Sequence, residues 1–183
     1  RRDMGGDRIR DAHHHSPAGL AVMPRKYLYF PAYDGKKASP VMERLIHLMG
    51  RRWGFKSLGI YANRPVRNPL AKGALSTHAT GWALDAGHSD PKVLEQAFLW
   101  LVEHSEALRL SEQHQYSFGK YGRGYRCSRG EGMKGVKVFT ATDNAGSIGG
   151  KWLHIELDNT WEKEHGEAAA DAFEAAWRAL PKP

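Results

Sequence analysis

Two short stretches, GWALDA (Gly81–Ala86) and WLHIEL (Trp152–Leu157), alternate their side chains one by one between apolar and other kinds. A period of two marks a strand with one face turned to a core. In the first stretch Trp82 and Leu84 share the apolar face, which puts Ala83 and Asp85 on the other. In the second, Leu153 and Ile155 share a face opposite His154 and Glu156. The chain must therefore build a sheet that packs apolar side chains on one side and carries ionisable groups on the other. If the two strands are neighbours, Asp85 and His154 converge, and the small Ala83 leaves room beside them. Thr80-Gly81 permits a tight bend, so His78, six residues upstream of Asp85 not counting either end, can fold back onto the same face. Two imidazoles, one carboxylate and a fourth position left to water form a catalytic zinc arrangement. Spacing alone leaves three other readings open: His78 in an exposed loop, Asp85 as a turn acceptor, and His154 as a satisfied core residue.

The rest of the chain reads as α+β. Ser39-Pro40 offers an N-cap and a proline for the first helical turn, and Val41, Met42, Leu45, Ile46, Leu48 and Met49 follow at helical spacing up to Gly50 or Gly54. Asp90-Pro91 opens a second helix with Val93, Leu94, Ala97, Phe98, Leu101 and Val102 on one face. Lys26–Tyr33, Ser57–Ala62 and Val136–Ala141 read as extended, and Gly166–Leu180 as a terminal helix. Ser111–Gly135, rich in Gly, Lys, Arg and Tyr, reads as a long mobile loop or an irregular hairpin. This order gives few parallel crossovers and predicts helices on one side of a mainly antiparallel sheet. Residues 1–24 read as a basic polar arm and residues 25–183 as a single domain, cut from a longer modular protein.

With 183 residues the chain can bury a proper core, and no apolar run is long enough to span a membrane. No signal peptide is visible. The lone Cys127 excludes an internal disulfide and an all-cysteine zinc site. A net charge of +7 favours an anionic partner: nucleic acid, an anionic membrane or a cell-wall polymer. Tyr116, Phe118, Tyr121 and Tyr125 alternate with Lys120, Arg123, Arg126 and Arg129, a mixture that can bind nucleic acid or line a glycan groove. No nucleic-acid-binding signature accompanies it, so neither nucleic acid nor a membrane is the expected partner.

Ser76, His78, Gly81, Ala83 and Asp85 match the pattern S-x-H-x-x-G-x-A-x-D, and Trp152-Leu153-His154 supplies an aromatic-apolar-His sequence near the end. Over roughly Val41 to Leu157 the chain thereby resembles the zinc D-alanyl-D-alanine carboxypeptidases and L-alanyl-D-glutamate endopeptidases. That VanY-like group includes many phage endolysins and shares its fold with the amino-terminal domain of hedgehog proteins. The resemblance implies that His78, Asp85 and His154 bind Zn2+. It implies that Arg64, or next Arg67, contacts substrate, and that Ser76 touches substrate or steadies the loop. It further implies a monomeric peptidoglycan peptidase that acts at the bacterial cell wall, with other anionic wall polymers as further partners.

One position departs from that group. Many of its members carry an acid three residues before the final histidine to take a proton from water, and here that position is Lys151. A lysine cannot accept that proton unless its pKa falls by several units. Glu156, on the strand face of His154, is the expected replacement, with Asp143 and Glu131 as weaker candidates and Lys151 itself as an oxyanion stabiliser. Glu156 can equally support a metal ligand from behind. The other reading of Lys151 is an inactive, zinc-containing wall-binding module. His88 flanks the motif without being needed as a ligand, and His13, His14 and His15 read as a solvated run.

Overall fold

The structure, a computed structural model, describes residues 23–28, 37–65, 74–140 and 148–183. The expected arm up to residue 22, His13–His15, Arg67 and Asp143 lie outside these residues.

Six strands form one sheet: β1 (Lys56–Gly59), β2 (Ala83–Gly87), β3 (Leu110–Gln115), β4 (Arg123–Arg126), β5 (Val136–Val138) and β6 (Trp152–Leu157). Their spatial order is β1-β2-β6-β3-β4-β5, and each pairing is antiparallel. The last strand in sequence thus lies in the middle of the sheet. Four α-helices accompany it: α1 (Pro40–Trp53), α2 (Pro91–Glu103), α3 (Thr160–His165) and α4 (Ala169–Ala179). The fold class is α+β, as the residue pattern predicts.

Local chemistry starts and stops these helices. Ser39 Oγ accepts from Val41 N at 3.2 Å and caps α1, with Pro40 at its first position. Gly54, in the left-handed region at φ 81°, ends it. Asp90 Oδ1 caps α2 by accepting from Lys92 N at 2.8 Å. The buried residues Val41, Met42, Leu45 and Met49 of α1, and Leu94, Phe98 and Leu101 of α2, lie three or four apart and form stripes. They join Leu84, Ala86, Leu153 and Ile155 from the sheet in one contiguous core. These are the odd-even partners of Asp85 and His154, so the alternation divides the sheet into a helix-covered face and an ionisable face.

Of its two readings, loop or hairpin, the segment Ser111–Gly135 takes the hairpin, with β3 and β4 paired antiparallel. Its first and middle parts are β3 and β4, inner strands of the sheet. Arg123 is buried, its guanidinium 4.4 Å from the Phe98 ring centre and 4.1 Å from that of Phe118, with Nε donating to Gln115 Oε1 at 2.8 Å. Arg129 donates to the Gly124 carbonyl at 2.9 Å. The terminal helix also begins earlier than expected, as α3, and a 3-10 turn at Gly166–Ala168 separates it from α4. Residues 23–28 carry no regular structure, but Arg25 ties them down by donating to Glu106 Oε2 at 2.8 Å and to the Leu110 carbonyl at 2.6 Å.

Gly81 sits where this frame meets the ionisable face. Its φ is 76°, and a Cβ there would lie 2.3 Å from the Lys37 carbonyl oxygen. Its own carbonyl accepts from Ser39 N at 3.0 Å, so the bend is tied to the start of α1. Gly81→Ala is expected to cost about 2 kcal/mol or more, from left-handed strain plus the clash. Gly54, in the same left-handed region at φ 81° with its nearest neighbour at an ordinary 3.7 Å, should lose only about 1 kcal/mol on the same change. Urea unfolding of the two variants checks the difference, and equal losses would show that the contact with Lys37 is immaterial.

Candidate metal centre

The register of β2 on β6 sets Asp85 directly opposite His154 and Ala83 opposite Glu156. His78 arrives from a 3-10 turn, Thr77–Thr80. Ser76 caps that turn, its Oγ accepting from His78 N at 3.4 Å, and Gly81 closes it in the left-handed region. The carbonyl of His78 accepts from both Ala62 N and Gly81 N, each at 3.1 Å. The turn is therefore fixed at both ends before the side chain is placed.

The three expected ligands come together. His78 Nε2 stands 3.3 Å from Asp85 Oδ2, and His154 Nδ1 stands 2.9 Å from Asp85 Oδ1. One ligand atom from each residue lies within 4.8 Å of the others, a group that could hold a metal ion. The imidazole ring centres are 5.1 Å apart.

Hydrogen bonding decides which atoms face the centre. His78 Nδ1 lies 2.8 Å from the Ile60 carbonyl oxygen. A carbonyl only accepts, so Nδ1 carries the hydrogen, and Nε2 of the neutral ring is a bare lone pair. That atom is buried and has no hydrogen-bond partner among the described residues. A lone pair facing a carboxylate oxygen needs a cation between them, either a proton or a metal. His154 shows the same logic. Its two nitrogens face two carboxylates, Asp85 through Nδ1 and Glu156 Oε1 through Nε2 at 3.0 Å. Burial works against its charged form, but the hydrogen bonds and charges of Asp85 and Glu156 outweigh burial and raise its pKa to about 10. Burial likewise opposes ionisation of Asp85, and the hydrogen bond and charge of His154, with a smaller electrostatic part from His78, overcome it, holding the carboxyl well below its usual range. The site thus keeps a proton wherever a metal is not present.

Glu156 is engaged at both oxygens. Oε1 faces His154, and Oε2 accepts from the Tyr27 hydroxyl at 2.7 Å. Arg64 is half-buried on the loop before the His78 turn. Its carbonyl accepts from Ser76 N at 3.0 Å, and its charge reaches the buried Tyr116 hydroxyl. Lys151 is exposed, and its carbonyl accepts from His88 N at 3.1 Å. His88 packs its ring on Phe55 and caps the start of α2, away from the ligand atoms. Glu131 lines a shallow groove with Leu99, Glu103 and Met133, on the α2 side of the sheet.

Three residues beside the centre escape the sequence reading. Glu112 and His114 face it from β3, and Arg126 faces it from β4, donating to Glu112 Oε1 and Oε2 at 2.9 and 3.0 Å. The signal for them was present as alternation in Glu112-Gln113-His114-Gln115, but every residue of that run is polar.

The chain matches no family model, no curated protein and no solved structure.

At neutral pH, metal must displace the His154 proton, because the raised pKa of about 10 lies above the solution pH. Zinc affinity is therefore expected to rise about tenfold per pH unit between pH 6 and 8, with about one proton released per ion. Calorimetry in buffers of different ionisation enthalpy measures this, and binding that ignores pH would contradict the arrangement. His78→Ala should abolish tight binding in the same titration.

Proposed function

We propose that this chain is a zinc-dependent hydrolase that cuts an amide bond in the stem peptides or cross-links of peptidoglycan. The observation that carries the metal reading is the buried, unpartnered Nε2 of His78 aimed at Asp85. Two imidazoles and a carboxylate on one side, with Asp85 still partly exposed, match the donor set of a catalytic rather than a structural zinc. The resemblance of Ser76–Asp85 and Trp152–His154 to the zinc peptidases of cell walls supplies the substrate class, and the charge of +7 suits an anionic wall.

Zinc bound by His78, Asp85 and His154 supplies a Lewis acid that polarises a carbonyl and acidifies a water. The chain's own groups do the rest. The Ile60 carbonyl fixes His78 and the Glu156 carboxylate fixes His154, each from the far side of its ring. By the resemblance, Arg64 is the group that would meet the carboxylate or carbonyl of a substrate. Ser76 acts through the turn that carries His78. Because both Glu156 oxygens are engaged, its geometry favours orienting His154 over taking a proton from water.

Release of new amino groups from purified peptidoglycan tests the proposal. Zinc-loaded protein should release them, a chelator should stop it, and added zinc should restore it, but not in Asp85→Ala. Glu156→Gln should weaken zinc binding about 10- to 100-fold, as loss of a supporting carboxylate does. Full zinc affinity with lost turnover would instead make Glu156 the base. Exposed Lys151, where similar enzymes hold an acid, favours one second reading. If zinc-loaded protein sediments with the wall and releases nothing, the chain is a wall-binding module.

A further inference from the structure

A second histidine faces the same centre from the next strand. In the register of β3 on β6, His114 lies opposite His154, so Asp85, His154 and His114 form one row across three strands. The ring centres of His114 and His154 are 5.9 Å apart. In the adjoining row, Ala83, Glu156, Glu112 and Arg126 face one another in turn.

The orientation of His114 is fixed on both sides. Its Nε2 lies 2.8 Å from Glu112 Oε1. Burial opposes the ionised Glu112, but the hydrogen bond from His114 and the guanidinium of Arg126, which donates to both of its oxygens, outweigh it and hold the carboxyl below its usual range. Glu112 is thus a carboxylate acceptor, and Nε2 donates to it. On the β4 side the ring lies against Gly124, where a Cβ would come 2.6 Å from Cδ2, 3.1 Å from Nε2 and 2.8 Å from the Phe139 ring. Only glycine leaves that space. With the Cδ2–Nε2 edge turned to β4, the opposite edge turns toward β6, where His154 is the cross-strand neighbour. That edge carries Nδ1, which is buried and has no hydrogen-bond partner among the described residues.

We infer that His114, oriented by Glu112 and Arg126, is the group that moves the proton in the reaction at this centre, through Nδ1. This rests on the hydrolase reading above. As the oxygen of water bonds to the amide carbonyl carbon, one of its protons passes to Nδ1. As the carbon–nitrogen bond breaks, that proton passes to the leaving nitrogen. The products are a carboxylic acid and an amine, and the imidazole ends as it began. Glu112 stabilises the imidazolium formed between these steps, as a carboxylate behind a catalytic histidine does. The assignment also accounts for the lysine at position 151, because a base on β3 makes an acid there unnecessary.

The test compares wild type with His114→Ala, His114→Gln and Glu112→Gln, each loaded with zinc, on soluble stem-peptide fragments of peptidoglycan. The His114 variants should keep one zinc per chain by elemental analysis and lose about 10²- to 10⁴-fold in kcat with little change in KM. Glu112→Gln should fall in the same direction by less. Independently of turnover, nitrogen-15 NMR of the imidazole rings should show His114 with hydrogen on Nε2 and none on Nδ1. Variants that keep zinc and wild-type kcat, variants that lose zinc, or a hydrogen on Nδ1 would each overturn the inference. A zinc-loaded wild type that releases no amine overturns the hydrolase reading and this inference with it. Wild-type turnover matched by both His114 variants overturns this inference alone.

Discussion

The pairing of β2 with β6 is the constraint on which the rest depends. It joins residues about seventy positions apart and sets Asp85 against His154 while Leu84 meets Ile155 on the other face. A slip of one residue would turn every side chain over. Asp85 would then enter the core among Phe98 and Leu94, and Leu84 would occupy the metal position. The apolar face therefore fixes the register, and the register assembles the site. The ionisable groups do not have to find one another. Burial of Leu84, Ala86, Leu153 and Ile155 brings them together.

Much of this was legible in the sequence, for a definite reason. Trp82-Ala83-Leu84-Asp85 and Leu153-His154-Ile155-Glu156 alternate in hydropathy, so each announces its strand, its faces and its candidate ligands at once. The α1 and α2 caps were legible for the same kind of reason, because Ser39-Pro40 and Asp90-Pro91 act locally. The strand β3 was not legible. Its site face carries Glu112 and His114, and its helix face carries Gln113 and Gln115, both buried. With polar residues on both faces the period of two leaves no trace in hydropathy. What makes it a strand is nonlocal: its neighbours β6 and β4 supply the hydrogen bonds, and Arg123 and Arg126 satisfy Gln115 and Glu112. The short helix α3 was hidden likewise, since Trp161 is its only buried residue and acts through Leu108. Position Tyr27 could not be placed at all from pattern, because its role depends on Arg25 anchoring an irregular segment 80 or more residues away in sequence.

The basic charge looks different once the partners of the arginines are known. Read along the chain, the mixture of arginine and tyrosine in Lys120–Arg129 resembles a binding surface. In the fold, Arg123 lies between two phenylalanine rings, Arg126 spans Glu112 and the Tyr27 ring, and Arg129 holds two carbonyls. Each guanidinium is used as a planar, multivalent donor inside the domain, a role that lysine could not fill. Part of the net charge is therefore structural, and a long-range field from the remainder cannot by itself identify a partner.

The ionisable face also explains why a dication suits it better than protons alone. At the rows shared by β2, β6, β3 and β4 stand three carboxylates, Asp85, Glu156 and Glu112, against one guanidinium, Arg126. With neutral imidazoles that leaves two uncompensated negative charges. Glu112 and Glu156 are cross-strand neighbours, a placement that like charges oppose. Tyr27 and Arg126 relieve this locally by donating to one carboxylate each. What remains is the charge of Asp85 and of Glu156, which face the two His154 nitrogens. Protonating His154 removes one negative charge and leaves the lone pair of His78 facing Asp85 still opposed. A divalent metal held by His78, Asp85 and His154 would offset both charges and would satisfy the lone pair of His78. The same balance leaves His114 with Glu112 and Arg126 as a self-contained unit, close to the centre but not needed to neutralise it, which is the condition under which an imidazole stays available for proton transfer.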